Sequence, residues 1–293
     1  SWRLLISCPR KDSAIVDRGQ WQINGQKGNS TMRLAFIDPT GLQYTADTPC
    51  ERPMGGSTSA LCYLSIELAK RGHEVVIFNG NEAQSHAKGV ECRGRPIAHP
   101  PSTPGAFDSF DAVTVLNAPI AHILRNKIAA PVPLLLWNHH ACDQPVIQDL
   151  AHPVERDIWD GIAFVSAAQR DSYAMAFNIP PAKGTVMRNA MAPAFENLTQ
   201  ITPWFASGAP PVLFYTSTPF RGLDVLLGAF PAIRAAVPGT RLRVFSSMAV
   251  YQMPESPYQG LYEHAKTMDG VEYVGSIGQT QLAKELANGA ALA

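Results

Sequence analysis

The sequence has no excess of charge of either sign and no long hydrophobic run. Its 293 residues include 24 Lys or Arg and 24 Asp or Glu, which gives a formal net charge of zero at pH 7. This balance disfavours a nucleic-acid-binding arm and a generally basic membrane-binding surface. No apolar run reaches the roughly 18 residues that a membrane-spanning helix needs, and no signal-peptide pattern opens the chain. We therefore expect a cytoplasmic protein with no nucleic-acid partner and no transmembrane segment, with attachment at the periphery of a membrane as the alternative.

Several well-known site motifs are also missing. The five cysteines are scattered without any C-x-x-C spacing, which disfavours a disulfide framework and a zinc ribbon and favours a reducing compartment. There is no G-x-G-x-x-G fingerprint, no G-x-x-x-x-G-K-[ST] loop and no G-x-S-x-G elbow. A dinucleotide-binding Rossmann site, a P-loop and a serine-hydrolase nucleophile are therefore disfavoured.

Short apolar runs alternate with helical patterns from Met32 onward. The first half predicts strands at residues 34–37, 74–78, 112–116, 133–137, 162–165 and 185–187. It predicts helices at residues 57–70, 120–128 and 168–177. The second half predicts strands at residues 212–215, 242–245 and 271–274 and helices at residues 222–237, 258–268 and 279–287. This alternation predicts an α/β protein with doubly wound parallel sheets.

The alternation breaks at the start and in the middle of the chain. Residues 1–31 are polar with little periodicity, and we interpret them as an extension upstream of the first domain. Residues 197–211 are predicted to be a proline-rich linker between an N-terminal domain at residues 32–196 and a C-terminal domain at residues 212–293. Residues 289–293 resemble the opening of a fourth strand. We expect a C-terminal truncation that leaves the second domain incomplete, because open α/β sheets normally have both faces covered; a short natural edge strand is the alternative.

The first candidate site is the loop before the first long helix. Ligands of doubly wound sheets bind at the carboxyl ends of the strands, so the loops there contain the candidate residues. Gly55 and Gly56 precede the helix, where bare backbone N–H groups and the positive helix end favour a phosphate. Ser57 is a candidate cap of that helix. A tight turn with a helix cap is an equally good interpretation of these residues.

Two adjacent histidines follow the strand predicted at residues 133–137. His139 and His140 are placed to bond a substrate hydroxyl or phosphate. A metal-ligand role is disfavoured, because no cluster with zinc-ligand spacing accompanies them. A histidine bonded to backbone near a loop is the structural alternative. Asn189 follows the last strand of the first half, where it either turns the chain or contacts a ligand across the cleft.

The turn after the first strand of the second half combines small hydroxyl residues with a cation and a glycine. Ser217 and Thr218 lead to Arg221 and Gly222 at the start of a predicted helix. An arginine in this position can neutralise a diphosphate through charge-assisted hydrogen bonds. The alternative is a solvated arginine beside an ordinary helix start. The sequence thus has a phosphate-compatible turn at the start of each half. The two turns together favour phosphate binding more strongly than either one alone.

The order of several segments resembles a known enzyme family. They include Leu-Ala-Lys-Arg-Gly-His-Glu-Val at residues 68–75, Arg-Gly-Leu-Asp-Val-Leu-Leu at residues 221–227 and Ala-Phe-Pro at residues 229–231. Shorter matching segments lie at residues 32–37, 55–60, 164–166 and 186–190. From Met32 to the end, the chain resembles a retaining glycosyltransferase of family 4 with the GT-B fold.

This resemblance implies two Rossmann-like domains with a nucleotide-diphosphate sugar bound between them. The sugar would pass to an acceptor with retention, without a metal or a cofactor, and the acceptor would be a saccharide, a lipid-linked molecule or a small molecule. Backbone N–H groups at Gly55 and Gly56 and the cation of Arg221 would meet the charge of the leaving nucleoside diphosphate. His140, or His139, matches the histidine that the family places near the sugar.

The chain departs from the family pattern in two places. Thr216 stands where the family commonly has an arginine, and the Glu-x7-Glu element that holds the donor would lie beyond Ala293. A non-catalytic or inactive nucleotide-sugar-binding fragment is therefore one alternative function. A nucleotide-sugar epimerase of the same architecture is another, although it needs carboxylate acid and base groups in the cleft, and none stands out.

Overall fold

Two β-sheets organise the part of the chain that the structure describes. The computed structural model describes residues 31–94, 105–128, 131–196, 203–287 and 289–293. Residues Thr31–Ala293 form one compact unit. The extension predicted at residues 1–31 lies outside the described residues except for Thr31. The linker predicted at residues 197–211 stays a prediction, because residues 197–202 also lie outside them.

The larger sheet has eight strands in the order β3-β4-β2-β1-β5-β6-β7-β8. Its strands are β1 (Arg33–Ile37), β2 (Glu74–Asn79), β3 (Ser85–Ala87), β4 (Val90–Gly94), β5 (Ala112–Leu116), β6 (Leu134–Asn138), β7 (Gly161–Phe164) and β8 (Gly184–Val186). Neighbouring strands are parallel except in the antiparallel pair of β3 and β4. Since parallel strands need crossovers through helices, both faces of this sheet are covered.

The smaller sheet has four parallel strands in the order β11-β10-β9-β12. They are β9 (Val212–Tyr215), β10 (Arg241–Val244), β11 (Val271–Tyr273) and β12 (Ala291–Leu292). The backbone N–H of Ala290 donates to the carbonyl of Val212 over 2.8 Å, which aligns β12 beside β9. The fourth strand predicted at residues 289–293 is therefore confirmed. The α/β class with two Rossmann-like parallel sheets is also confirmed.

Ten α-helices lie in the described part of the chain. They are α1 (Thr48–Glu51), α2 (Gly56–Lys70), α3 (Ala121–Arg125), α4 (Pro153–Arg156), α5 (Ala167–Phe177), α6 (Pro193–Glu196), α7 (Trp204–Ser207), α8 (Leu223–Ala236), α9 (Gln259–Thr267) and α10 (Gln279–Leu286). Short 3-10 helices lie at Pro145–Ala151, Pro181–Lys183, Met248–Tyr251 and Ser256–Tyr258. None of these helices combines the length and the apolar character that crossing a bilayer requires.

Alternate residues of the central strands belong to different cores. Ala35 and Ile37 of β1 pack in a core that includes residues of α3 and α5. Phe36, between them, packs in a second core that includes Leu61 and Cys62 of α2. A period of two along a strand sends successive side chains to opposite faces, so one strand supplies both cores. The smaller sheet has a core of its own with α8 and α9.

The hairpin of β3 and β4 is a feature that the sequence analysis did not predict. Its two strands are joined by Lys88 and Gly89, which both have positive φ angles of 54° and 81°. Two consecutive residues with positive φ form the type I′ turn that suits a two-residue hairpin. β3 has only three residues, too few for a recognisable alternation. The helix predicted at residues 120–128 is also shorter in the structure, where α3 spans Ala121–Arg125.

Candidate functional site

The carboxyl ends of β5 and β6 bring an asparagine beside the two histidines. β5 and β6 are parallel neighbours, with Leu116 opposite Trp137. The chain leaves these strands at Asn117 and His139, so both residues lie at the same edge of the sheet. This is the edge where doubly wound sheets bind ligands.

Asn117 fixes the position of His139. It has a φ of 60°, a left-handed conformation that is uncommon for residues other than glycine. Its Oδ1 accepts a 2.7 Å hydrogen bond from the backbone N–H of His139 and lies 3.2 Å from Nδ1 of the same residue. The imidazole also packs on Trp137, with ring centroids 4.9 Å apart. The ring is thus held by a hydrogen bond on one side and an aromatic contact on the other.

The other nitrogen of His139 has no hydrogen-bond partner among the described residues. Nε2 is buried, and buried polar atoms of folded proteins almost always have a partner. Burial lowers the pKa of His139 to about 4, and a hydrogen-bonding interaction with the side chain of Asn189, too poorly aligned to count as a hydrogen bond by distance and angle, opposes this with a smaller raising effect. The imidazole is therefore neutral at pH 7 and has one nitrogen available to a ligand. Asn189, which is exposed, therefore lies close to the ring of His139.

His140 is held by its backbone. Its carbonyl accepts hydrogen bonds from Gln169 Nε2 and the Tyr173 hydroxyl, both over 2.8 Å, and from Asn138 Nδ2 over 3.3 Å. Gln169 is itself fixed at the start of α5, where its backbone N–H donates to the capping Ser166. The half-buried side chain of His140 remains at the edge of the sheet. Burial lowers the pKa of His140, a hydrogen bond with the side chain of Gln144 opposes this, and the positive charge of Arg221 adds a smaller lowering effect.

The depressed pKa of His139 predicts a loss of stability in acid. An unfolded histidine titrates near pH 6.5, whereas folded His139 titrates near pH 4. Between these values the unfolded chain binds a proton that the folded chain does not, so stability is full above pH 6.5 and falls as the pH drops toward 4. The free energy of unfolding should therefore decrease between pH 7.5 and pH 4.5. We expect this decrease to be smaller by about 1 to 2 kcal/mol in His139→Gln, after allowance for the partial exposure of the ring. Urea unfolding at pH 7.5 and pH 4.5 measures it, and equal losses in both proteins would contradict the assignment.

The α2 N-terminus begins at the two predicted glycines. Gly55 is the N-cap residue and Gly56 is the first residue of α2, so Ser57 lies inside the first turn. The prediction of Ser57 as the cap is wrong, because the backbone becomes helical one residue earlier than the apolar pattern indicates. A Cβ added at Gly56 would meet nothing within 4 Å. Gly56 is exposed and borders open space, at a helix end whose first N–H groups have no partner within the helix.

The turn between β9 and α8 is closed by hydrogen bonds to Thr218. Its carbonyl accepts from the backbone N–H of Arg221 over 3.1 Å and from the Tyr215 hydroxyl over 2.7 Å. Its own hydroxyl is buried without a described partner. The side chain of Ser217 has a hydrogen-bonding interaction with the Tyr215 phenol. Gly222 has a φ of 93° and is the N-cap of α8, so its role is to allow this backbone conformation.

Arg221 lies in this turn, with its guanidinium 5.9 Å from the centre of the Phe220 ring. It is exposed and forms no ion pair with any residue in the described ranges. Its charge lowers the pKa of His140, as the smallest of three effects on that ring, so the electrostatic influence of the turn after β9 reaches the loop after β6. The structure therefore relates two of the residues that the sequence analysis proposed independently.

A segment after β10 makes further contacts with the first half. A Cβ added at Gly55 would lie 2.7 Å from Cε1 of Tyr251, so the tyrosine ring lies directly against this glycine. The side chain of Gln252 accepts from the backbone N–H of Gln43 over 3.2 Å and donates to the carbonyl of Gln43 over 2.9 Å. No local pattern in the sequence marks Tyr251 or Gln252, because their partners lie about 200 positions away along the chain.

The predicted residues fall into three groups in the described structure. His140 is under the electrostatic influence of Arg221, and His139 lies near Asn189. Gly55 contacts Tyr251, and the neighbouring Gly56 borders open space. Within the described ranges, no hydrogen bond joins this α2 N-terminus to the turn at Ser217–Gly222. In those same ranges, no three His, Cys, Asp or Glu side chains converge as metal ligands.

The comparisons with known proteins show the fold. No protein-family model matches the sequence, and no curated protein matches it. A glycosyltransferase from Rickettsia africae is similar in structure, with a TM-score of 0.57, 9% identity, and coverage of 88% of this chain and 71% of that one. Anabaena Alr3699/HepE, solved in complex with UDP-glucose, is similar with a TM-score of 0.55, 13% identity, and coverage of 89% and 73%.

AviGT4, a glycosyltransferase involved in avilamycin A biosynthesis, gives a TM-score of 0.50 at 14% identity, with coverage of 89% of this chain and 68% of that one. The two parallel sheets and these neighbours together define a GT-B fold. At such low identities the likeness is one of fold, and activity must be argued from the site.

Proposed function

We propose that this protein is a glycosyltransferase that moves a sugar from a nucleotide-diphosphate sugar to an acceptor, with retention at the anomeric carbon and without a metal or cofactor. The observation that carries the proposal is the electrostatic effect of Arg221 on His140, in a protein whose two halves are also joined by the contacts of Gln252 with Gln43 and of Tyr251 with Gly55. A cation without a carboxylate partner in the described residues, together with neutral histidines, suits a ligand with an anionic end and a hydroxyl-rich end. A nucleotide sugar has both.

The charges of the proposed site suit departure of a nucleoside diphosphate. Negative charge develops on the leaving phosphate as the bond to the sugar breaks, and preorganised donors lower the barrier most when they face that charge. Arg221 supplies a guanidinium capable of two parallel hydrogen bonds. The open first turn of α2, at Gly56, supplies backbone N–H groups and the positive helix end. His139 supplies a neutral ring to the sugar side.

Two further parts of the proposal rest on the resemblance of the sequence to family 4. Retention of configuration and independence of metal belong to that family, and residues 68–75 and 221–227 carry the resemblance. One of the structurally similar proteins was solved with UDP-glucose, which supports a nucleotide sugar as the donor class. The acceptor is proposed to be a saccharide, a lipid-linked molecule or a small molecule, and the protein is proposed to act in the cytoplasm.

The experiment is a panel of UDP-, GDP- and ADP-sugars measured for binding, hydrolysis and transfer, with and without EDTA. We expect one donor class to bind and turn over, with no loss of rate in EDTA, and NMR to show an unchanged anomeric configuration in the product. Binding without turnover supports the non-catalytic alternative instead. If no donor binds, the proposal and the assignments of Arg221 and the histidines are overturned.

A further inference from the structure

The tautomer of His139 follows from the hydrogen bonds of Asn117. A backbone N–H can only donate, so the atom of Asn117 that faces the N–H of His139 at 2.7 Å must be the amide oxygen. The same oxygen lies 3.2 Å from Nδ1 of His139. An amide oxygen can only accept, so Nδ1 must carry the proton. A neutral imidazole has a single proton, and Nε2 is therefore bare.

The bare nitrogen is also the buried atom that lacks a partner. By distance and angle, Nε2 of His139 makes no hydrogen bond to a described residue, although it is shielded from solvent; the side chain of Asn189 is close enough to the ring to raise its pKa. A bare imidazole nitrogen accepts hydrogen bonds and does not donate them. It therefore suits a hydroxyl group and repels a phosphate oxygen, which offers only lone pairs. The nearby charged or titratable groups are His140 on the same loop and Arg221 on the turn after β9, and neither bonds to this ring in the described structure.

We propose that Asn117 is a positioning residue that holds His139 in the Nδ1-protonated form, so that Nε2 accepts a hydrogen bond from a sugar hydroxyl of the bound ligand. The hydroxyl part rests on the proposed function, whereas the tautomer part does not. The backbone of Asn117 supports this role. Its left-handed φ of 60° is a conformation in which asparagine is several-fold enriched among residues other than glycine.

The first test needs no ligand. In protein labelled with 15N at histidine, we expect the His139 ring to show a protonated Nδ1 and an unprotonated Nε2. In Asn117→Gly, which keeps the left-handed backbone and removes the oxygen, we expect the tautomer balance to move toward Nε2–H. The matched control is Asn178→Gly, because Asn178 also has a left-handed φ, 54°, but caps α5 on the surface. A wild-type ring protonated at Nε2, or an Asn117→Gly spectrum equal to wild type, overturns the proposal.

A second variant separates positioning from a loss of structure. Asn117→Asp keeps the shape and places a carboxylate beside Nδ1–H, which stabilises the imidazolium. We expect the titration midpoint of His139 to rise by about 1 to 3 pH units while the midpoint of His140 moves much less. An unfolded variant would lose the dispersion of both signals together, so the two outcomes are distinct. An unchanged midpoint for His139 in a folded variant overturns the proposal.

The ligand part is tested with UDP-glucose and UDP as probes, followed by the Nε2 signal of His139. We expect UDP-glucose to shift this signal and UDP to leave it nearly unchanged, because only the former brings sugar hydroxyls. Equal shifts with both probes overturn the hydroxyl assignment. If neither probe binds and no other donor of the panel binds either, the proposed function is wrong. The tautomer measurement still decides the role of Asn117 in that case, because it needs no ligand.

Discussion

Arg221→Ala is expected to weaken nucleoside diphosphate binding by about 10- to 100-fold. A hydrogen bond to a charged group contributes about 1.5 to 3 kcal/mol, and each 1.4 kcal/mol is a factor of ten in affinity. Arg221 has no carboxylate partner in the described residues, so its removal leaves no buried charge unpaired. Folding stability should therefore change little. Calorimetric titration with UDP, GDP and ADP measures the effect.

Arg221→Lys should fall between wild type and Arg221→Ala, because lysine keeps the charge and loses the bidentate geometry. Arg71→Ala is the matched control. Arg71 is also an exposed arginine at a helix end, but it lies at the C-terminus of α2, away from the proposed site. Equal affinities for wild type and Arg221→Ala would remove Arg221 from the site.

Gly56→Ala is expected to make the protein more stable and a poorer binder. Gly56 is the first residue of α2, and a Cβ there meets nothing within 4 Å. Alanine is better than glycine in a helix by about 1 kcal/mol, so the melting temperature should rise. The same methyl group would occupy the space that a phosphate needs to approach the backbone, and we expect at least a tenfold loss of nucleotide affinity.

Two other glycines act as controls for this substitution. Gly228 lies inside α8 with nothing within 4 Å of an added Cβ, so Gly228→Ala should stabilise without affecting nucleotide binding. Gly55→Ala should destabilise, because its Cβ would lie 2.7 Å from the Tyr251 ring, which must then move. Thermal unfolding and nucleotide titration on the three variants give the comparison. Full affinity in Gly56→Ala would show that the ligand does not use this helix end.

Much of the fold was predictable because its strands are buried on both faces. Continuous apolar runs such as Val212–Tyr215 appear in the sequence without interruption, and the predicted and observed bounds of this strand agree. The β3–β4 hairpin was not predictable by the same signal, because three residues cannot show an alternation. Its turn at Lys88 and Gly89 carries only one glycine as a local sign.

The candidate site was predictable only in part, for a physical reason. His140 and Arg221 follow strands, and the rule that ligands bind at the carboxyl ends of strands finds such residues. Asn117 also follows a strand. Its importance depends on its hydrogen bond with His139, which exists only because β5 and β6 are neighbours in the folded sheet. Tyr251 depends on a contact with the other sheet. Tertiary contacts of this kind leave no periodic trace in a single sequence.

The central claim is that Arg221 and the α2 N-terminus bind the same diphosphate beside the two histidines. A crystal structure of the protein soaked with the nucleoside diphosphate that binds most tightly tests it most directly. The account predicts phosphate oxygens within hydrogen-bond distance of the Arg221 guanidinium and of a first-turn N–H at Gly56 or Ser57. A nucleotide bound elsewhere, or bound in the proposed site with Arg221 turned to solvent, would contradict it.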